Sequence, residues 1–433
     1  MVAQSAFVSL WGNTVGALAV QPDGSIAFEY APDWLATGVE IAPIKMPLQA
    51  GYFQFSRLND DTFKGLPGAF ADTLPDDFGN AVIDAWLARE SIPKEDFGPI
   101  DRLLYTGTRG VGALEYWPAK DLPNGADSPI ELESLLEVAQ QVLDQRGNLD
   151  VDLSEGHAMK SLLQVSTSAG GARPKALLAV NEARTEIRSG QVDAPEGFTH
   201  YLLKFDGVAE HHSSKETFGD PRGFGRMEYA YYKMATAAGV IMEPCELLEE
   251  KGRAHFMTRR FDRDGNHKRH YQSLCAMDHA DYKRPGHYSY EELFTTARRL
   301  RLTRKEAIQL YRRMVFNVVA RNHDDHTKNF GFLLDGPEAK WRLAPAFDIA
   351  YSYKPGSEWV NRHQMSLNGK RDDFTQEDLL AVASQIGEFT REAKRIIEEV
   401  CDIVADWPRY AAEVDVPTPL AKEIQGNLRL FLN

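Results

Sequence analysis

The stretch Asn322-His323-Asp324-Asp325-His326-Thr327-Lys328-Asn329-Phe330 crowds ionisable side chains between two apolar segments, and it constrains the fold more than any other part of the chain. Charges in such a place must be paired or reach water, because burying them alone is expensive. Upstream, Ala307, Ile308, Tyr311, Met314, Val315, Val318 and Val319 recur at steps of one, three and four, the apolar stripe of a helix with a buried face. Thr303 and Glu306 form a capping box at its start. Downstream, Phe330 to Leu334 is a short apolar run closed by the turn signal Asp335-Gly336, with Trp341-Arg342-Leu343 as the returning strand. The pattern predicts a polar loop gripped by a core helix and a hairpin, a common seat of chemistry.

At 433 residues the chain exceeds one ordinary core, so two or three domains or lobes are expected. Phe7 to Leu10, Val15 to Val20 and the alternating Ile26, Phe28 and Tyr30, separated by Gly12-Asn13 and Pro22-Asp23-Gly24, predict a β meander. After Pro75 the spacing of Phe78, Val82, Ile83, Trp86 and Leu87 is helical. Gly107 to Gly112 precedes a strand rather than a helix, so it reads as a structural turn and not a phosphate cradle. Ala119 to Pro129 reads as a linker, followed by a helix from about Glu131 to Gln145.

Ser166 to Lys175, with Gly170-Gly171, Arg173 and Lys175, leads into an apolar strand at Ala176 to Val180. Taken alone it has two readings, an anion-binding loop or a flexible hairpin. Lys204 sits inside the apolar strand Tyr201 to Phe205, where a lysine either snorkels or meets an anion. Glu228, on the next helix with Tyr231, Met234 and Ala235, is a candidate partner. Asp264-Gly265-Asn266 is a turn and a lobe boundary, and helical patterns dominate from Tyr290 onward.

The net charge of −14 disfavours nonspecific binding to nucleic acid. The three cysteines, Cys245, Cys275 and Cys401, form no C-x-x-C pattern, which argues against a disulfide framework or a thiolate zinc site. No apolar run approaches the roughly 20 residues of a membrane span and no signal peptide is apparent, so a cytoplasmic protein is expected.

Phosphoryl transfer needs cationic contacts on phosphates, metal ions held by oxygen ligands and a carboxylate that orients the attacking hydroxyl. The chain offers these in kinase order: a Gly-rich loop, Lys204, Glu228, Asp324 and Asn329 five residues apart, and a later Asp348. Asp348 lies just past the hairpin, which returns the chain toward Asn329 so that the two can share a metal.

The loop Asn322 to Phe330, together with Ser168 to Lys175, Arg260-Phe261-Asp262-Arg263 and Pro345-Ala346-Phe347-Asp348-Ile349, resembles the HipA family of bacterial serine/threonine kinases. The opening β segment and Leu74-Pro75-Asp76 resemble that family's N-terminal part. The resemblance implies an α+β, protein-kinase-like two-lobed fold: an N-terminal β-rich subdomain (1–125), an ATP-binding N-lobe (126–264) and a helical C-lobe with the catalytic loop (265–433). It implies ATP and Mg²⁺ as cofactors, Asp324 as catalytic base, and Asn329 and Asp348 as metal ligands. Ser168, Ala169, Gly170, Gly171, Ala172, Lys175 and Lys204 would contact the nucleotide, with His326 and Lys328 near the phosphates and Glu228 paired to Lys204. Arg260, Phe261 and Asp262 would form the adenine hinge and ribose contact, and Ser168 would be the autophosphorylation site. Gly170-Gly171 and Arg173-Pro174 depart from the loop of the best-known member. The implied partners are a protein substrate with a Ser or Thr acceptor and a HipB-like DNA-binding antitoxin through which DNA is contacted, with no membrane.

Two other readings remain. His323, Asp324 and His326 suit a transition metal, as in a metal-dependent phosphohydrolase. A non-catalytic, antitoxin-binding pseudokinase would keep the fold without turnover.

Overall fold

Ala6, Val8 and Leu10 alternate with exposed or half-buried neighbours along Ser5–Leu10, the period of a strand with one buried face. That strand is interior to a five-stranded antiparallel sheet whose order is Tyr52–Gln54, Ile26–Tyr30, Asn13–Val20, Ser5–Leu10 and Leu114–Trp117. Phe28, Phe70 and Tyr116 fill its core. The computed structural model describes residues 2–75, 77–119, 130, 132–144, 162, 163, 165, 174–209, 219, 220 and 222–432. The expected loop residues Ser168, Ala169, Gly170, Gly171 and Ala172 lie outside the described residues.

A second antiparallel sheet runs in the order Cys245–Glu250, Arg253–Arg259, Phe198–Lys204, Lys175–Asn181 and Ile187–Ser189. Its core takes Phe78, Val82, Ile83 and Leu87 from the helix Asp77–Arg89, and Leu135, Val138 and Ala139 from the helix Leu132–Asp144. The third and largest core is helical. Leu310, Tyr311, Met314, Val315, Val318 and Val319 of the helix Arg304–Val319 pack there with Tyr231, Tyr290 and Trp407. The capping box of that helix is formed, Thr303 Oγ1 meeting Glu306 Oε2 at 2.7 Å. Gly331–Leu334 returns as Arg342–Leu343 and also pairs with His270–Ser273, so the hairpin read from sequence gains a third strand from a distant segment. Among the described residues no helix is long and apolar enough to cross a membrane.

Polar ties weld the first sheet's unit to the helical part. Asp72 accepts from Ser273 N and Ser273 Oγ, both at 2.7 Å, and Ser273 caps the helix Leu274–Asp278. Gln272 Nε2 donates to Ile41 O at 2.6 Å, and Trp11 Nε1 to Lys268 O at 2.8 Å. Gly68 N donates to His279 Nε2 at 3.1 Å, so that imidazole must stay neutral to accept. Gly68 itself is required there, since a Cβ would lie 2.6 Å from Ala276 O.

Burial pulls His255, His270 and His279 down to about 4 from an ordinary 6.5. The unfolded chain binds protons at these sites at higher pH than the folded one, so stability is full above pH 6.5 and falls as pH drops toward 4. The urea midpoint is expected to fall steeply between pH 7 and pH 4.5. A midpoint that is flat or rises over that window would refute the assignment of these histidines as buried and neutral.

Candidate active site

The helix Arg304–Val319 ends at Ala320, and Arg321 takes a left-handed φ of 58° that turns the chain into the polar loop. The loop is pinned from beneath by Asp325, which is 1% exposed. Its Oδ2 accepts from Tyr290 OH at 2.7 Å and faces His363 Nδ1 at 2.8 Å, while Oδ1 accepts from Gln364 N at 2.7 Å. Asn317 Nδ2 reaches Tyr290 OH at 3.2 Å and Asn322 Nδ2 reaches Asn317 Oδ1 at 2.9 Å, extending the network along the helix. Asp324, one residue earlier, points the other way, its side chain 44% exposed.

Asn329 Nδ2 donates to Asp324 O at 2.7 Å, closing the loop on itself and leaving the amide oxygen of Asn329 as its acceptor end. Asn329 and Asp348 line one small cavity of about 10 Å³ with Arg313, Asn317, Asn322 and Asp325, room for about one water. The expected convergence of Asn329 and Asp348 past the hairpin is therefore the geometry observed. An amide oxygen and a carboxylate are hard donors of the kind Mg²⁺ takes. Asp348 holds a φ of 52°, a strained backbone for a non-glycine residue. Arg313 is fully buried, donates to Ala344 O at 2.7 Å and is pulled down to about 9 by burial.

Lys204 meets the carboxylate expected beside it, Glu228, and also Asp348, which was not expected as its partner. Its ammonium bonds Glu228, buried on the helix Phe224–Ala237, and Asp348 Oδ1 at 2.5 Å. The register places Lys175 directly opposite Lys204, both buried. Like charges facing each other across a strand pair repel, and Glu228 and Asp348 offset that repulsion at Lys204.

The hinge departs from expectation. Asp262 Oδ1 accepts from Arg260 Nε at 2.9 Å, and Oδ2 accepts from Arg260 Nη2 at 2.7 Å, Arg263 Nη1 at 2.8 Å and Gly112 N at 2.8 Å. Two guanidiniums hold its carboxyl well below the usual carboxylate range despite burial. A ribose contact by Asp262, or a nucleotide contact by Arg260, would have to break this knot. Asp262 ties the hinge to the Gly107–Gly112 turn, where Arg263 also donates to Gly110 O and Gly112 O, while Arg260 Nη1 donates to Gly190 O at 2.7 Å. Phe261 is half-buried, its ring 5.4 Å from Phe347 and 5.2 Å from Tyr271.

His326 Nε2 lies 3.6 Å from Asp324 Oδ1, and its ring is 5.3 Å from that of Tyr282, over which Lys328 Nζ also sits at 4.9 Å. His323 is buried against His363, ring centroids 4.1 Å apart, and burial pushes its imidazole far below the ordinary value. Its two ring nitrogens face the interior and Asp324 faces solvent, so His323, Asp324 and His326 do not converge as a metal set. Among the described residues no group of three or more His, Cys, Asp or Glu side chains could hold a metal ion.

With this geometry in hand, comparison with known proteins is decisive on one point. Residues 167–407 match the family described as HipA-like C-terminal domain, and residues 6–117 match the HipA N-terminal domain. The chain belongs to the HipA family. Among its relatives, "Putative kinase Y4mE" of Sinorhizobium fredii is 26% identical over 363 residues, which cover 79% of this chain and 76% of that protein. The HipA fold is seen in the Shewanella oneidensis MR-1 toxin–antitoxin complex of HipA, HipB and operator DNA, with a TM-score of 0.65 and 16% identity over 97% of this chain and 95% of that one. A Helicobacter pylori proinflammatory kinase, CtkA, aligns with 59% of this chain and 93% of its own at 13% identity, but its TM-score of 0.34 is too low to argue from. The family and the α+β class read from the residues are thus the ones found.

Sequence reasoning assigned no role to Asp325, quoted Arg263 without giving it one, and overlooked Asp72 and Arg313. Replacing Asp325 with Ala strands Tyr290 OH, His363 Nδ1 and Gln364 N, and is expected to cost about 3–5 kcal/mol. Urea unfolding of Asp325→Ala measures this, and a loss under about 1 kcal/mol would mean the network is not holding the loop.

Proposed function

We propose that this HipA-family chain is an ATP- and Mg²⁺-dependent serine/threonine protein kinase that transfers the γ-phosphate of ATP to a protein hydroxyl and autophosphorylates Ser168. The observation that carries the reading is the division of labour between neighbours in one loop. Asp325 is buried and fully bonded, Asp324 is half-exposed, and Asn329 is fastened to the backbone of Asp324 while lining one cavity with Asp348.

In this reading Asp324 accepts the proton of the acceptor hydroxyl as its oxygen attacks the γ-phosphorus and ADP leaves. Asn329 and Asp348 would hold Mg²⁺, which neutralises phosphate charge. Lys204 and Lys175 supply the cationic wall, with Glu228 holding Lys204 in place when phosphates compete with Asp348 for its ammonium. His326, beside Asp324, and Lys328, over Tyr282, frame the mouth of the site. The loop Ser168 to Ala172 would lie over the phosphates. Phe261 is left as the adenine-side contact, and Arg260 and Asp262 act as positioning residues of the hinge. The Shewanella complex supports a HipB-like antitoxin as partner, with operator DNA reached through it, and hence action in the cytoplasm.

The test is phosphate transfer to Ser168, read by mass spectrometry after incubating the purified chain with Mg-ATP. Asp324→Ala is expected to slow it at least about a hundredfold while ATP still binds. Asp348→Ala is expected to weaken Mg²⁺-dependent nucleotide binding as well. Labelling of the Asp324 variant at the wild-type rate would remove the base assignment. A wild-type protein that transfers no phosphate to itself or to lysate proteins would make the chain a pseudokinase.

A further inference from the structure

Two segments beside the catalytic loop, 281–289 and 354–371, are laced together. Gly286 N donates to Gln364 O at 2.7 Å, Ser366 N to Tyr288 O at 3.0 Å and Tyr290 N to Ser366 O at 2.9 Å. Gln364 N in turn donates to Asp325 Oδ1, so the pair is fixed to the residue next to Asp324. Together they form a ledge next to the catalytic loop.

The ledge is cationic in a chain of net charge −14. Arg284, Lys354 and Arg362 are exposed, and Lys283 and Arg371 are half-buried. Arg371 lies against Gly286, where a Cβ would stand 2.7 Å from its Cδ, and its Nε donates to His363 O at 2.7 Å. Burial lowers the Arg371 guanidinium, the Asp325 carboxylate offsets part of that, and the charge of Arg362 works against it. Among the described residues none of these five cations forms a salt bridge to a carboxylate, whereas Lys370 and Arg321 nearby are paired with Asp378 and Asp372. Glu358 is the one acidic side chain in 354–371, and Trp359 beside it is 41% exposed.

Cations that have no carboxylate ion pair raise the local potential and favour an anionic ligand with planar acceptors such as carboxylates. We propose that this ledge docks the acidic flank of the polypeptide whose hydroxyl is presented to Asp324, an inference that rests on the kinase reading above. A polypeptide fits better than a nucleic acid. Binding to a phosphate backbone rests on Lys and Arg neutralising phosphates over a long stretch, and the chain's net charge of −14 opposes it.

The test reads binding without turnover. A fluorescein-labelled serine peptide flanked by glutamates and its glutamine-flanked counterpart are titrated with the full-length protein at low salt, without ATP, by anisotropy. The acidic peptide is expected to bind about tenfold more tightly, a few exposed ion pairs' worth, and to lose that preference as salt rises. Arg362→Glu with Arg371→Glu should abolish the preference. Arg362→Glu alone, at an exposed position with no ion pair, should reduce it if the double variant does not fold. Equal binding of both peptides by the wild type, or an unchanged preference in the variants, overturns the proposal. So does tighter binding of a single-stranded RNA that is lost in the same variants. A protein that prefers acidic peptides but transfers no phosphate defeats the kinase reading and supports the docking ledge.

Discussion

A carboxylate taken wholly out of water has to be met by donors on every side, and Asp325 imposes that demand at the centre of the molecule. The donors that answer it come from two places far from it in sequence: Tyr290 at the start of one helix, and the adjacent His363 and Gln364 on a later loop. Satisfying one side chain therefore brings the catalytic loop, the helix Tyr290–Arg299 and the 354–371 segment to one point. Asp324 gains its outward direction because its neighbour is locked inward. The chemistry proposed at Asp324 is in this sense a by-product of a buried charge that does none itself.

Electrostatics in the cleft follow the same economy. Lys175 and Lys204 face each other in the sheet register, a pairing that sheets ordinarily avoid. Glu228 and Asp348 offset part of that repulsion, and Asp348 does so from a backbone conformation that costs on the order of 1–3 kcal/mol. Strain at Asp348 and like charge at the two lysines are both tolerated where phosphate and metal are proposed to bind. A ligand carrying negative charge would relieve the second without needing the first to change.

How legible was this in the sequence? The helix Arg304–Val319 and its capping box, the hairpin after Phe330 and the Lys204–Glu228 pair were legible because each rests on local periodicity or on a short list of possible partners. The convergence of Asn329 and Asp348 was legible because a two-stranded ribbon returns the chain to its origin. The bonds of Asp262 were not legible because one of the four comes from Gly112, some 150 residues earlier, and no spacing rule encodes that. Asp72 was invisible for the same reason, its partner Ser273 lying about 200 residues away. Resemblance to kinases supplied a role for Asp262, and packing took the side chain for another.

The knot at Asp262 has a consequence for how such a chain can vary. Asp262 balances Arg260 and Arg263, while Arg263 also satisfies the carbonyls of Gly110 and Gly112. Losing the acid alone leaves two buried guanidiniums repelling each other, and losing either arginine leaves acceptors without donors. Arg260, Asp262 and Arg263 can therefore be exchanged without leaving buried charge only if they change together, while Gly110 and Gly112 take part through backbone atoms that any residue supplies. Three side chains at the hinge thus hold the turn before Leu114–Trp117, which belongs to a different sheet.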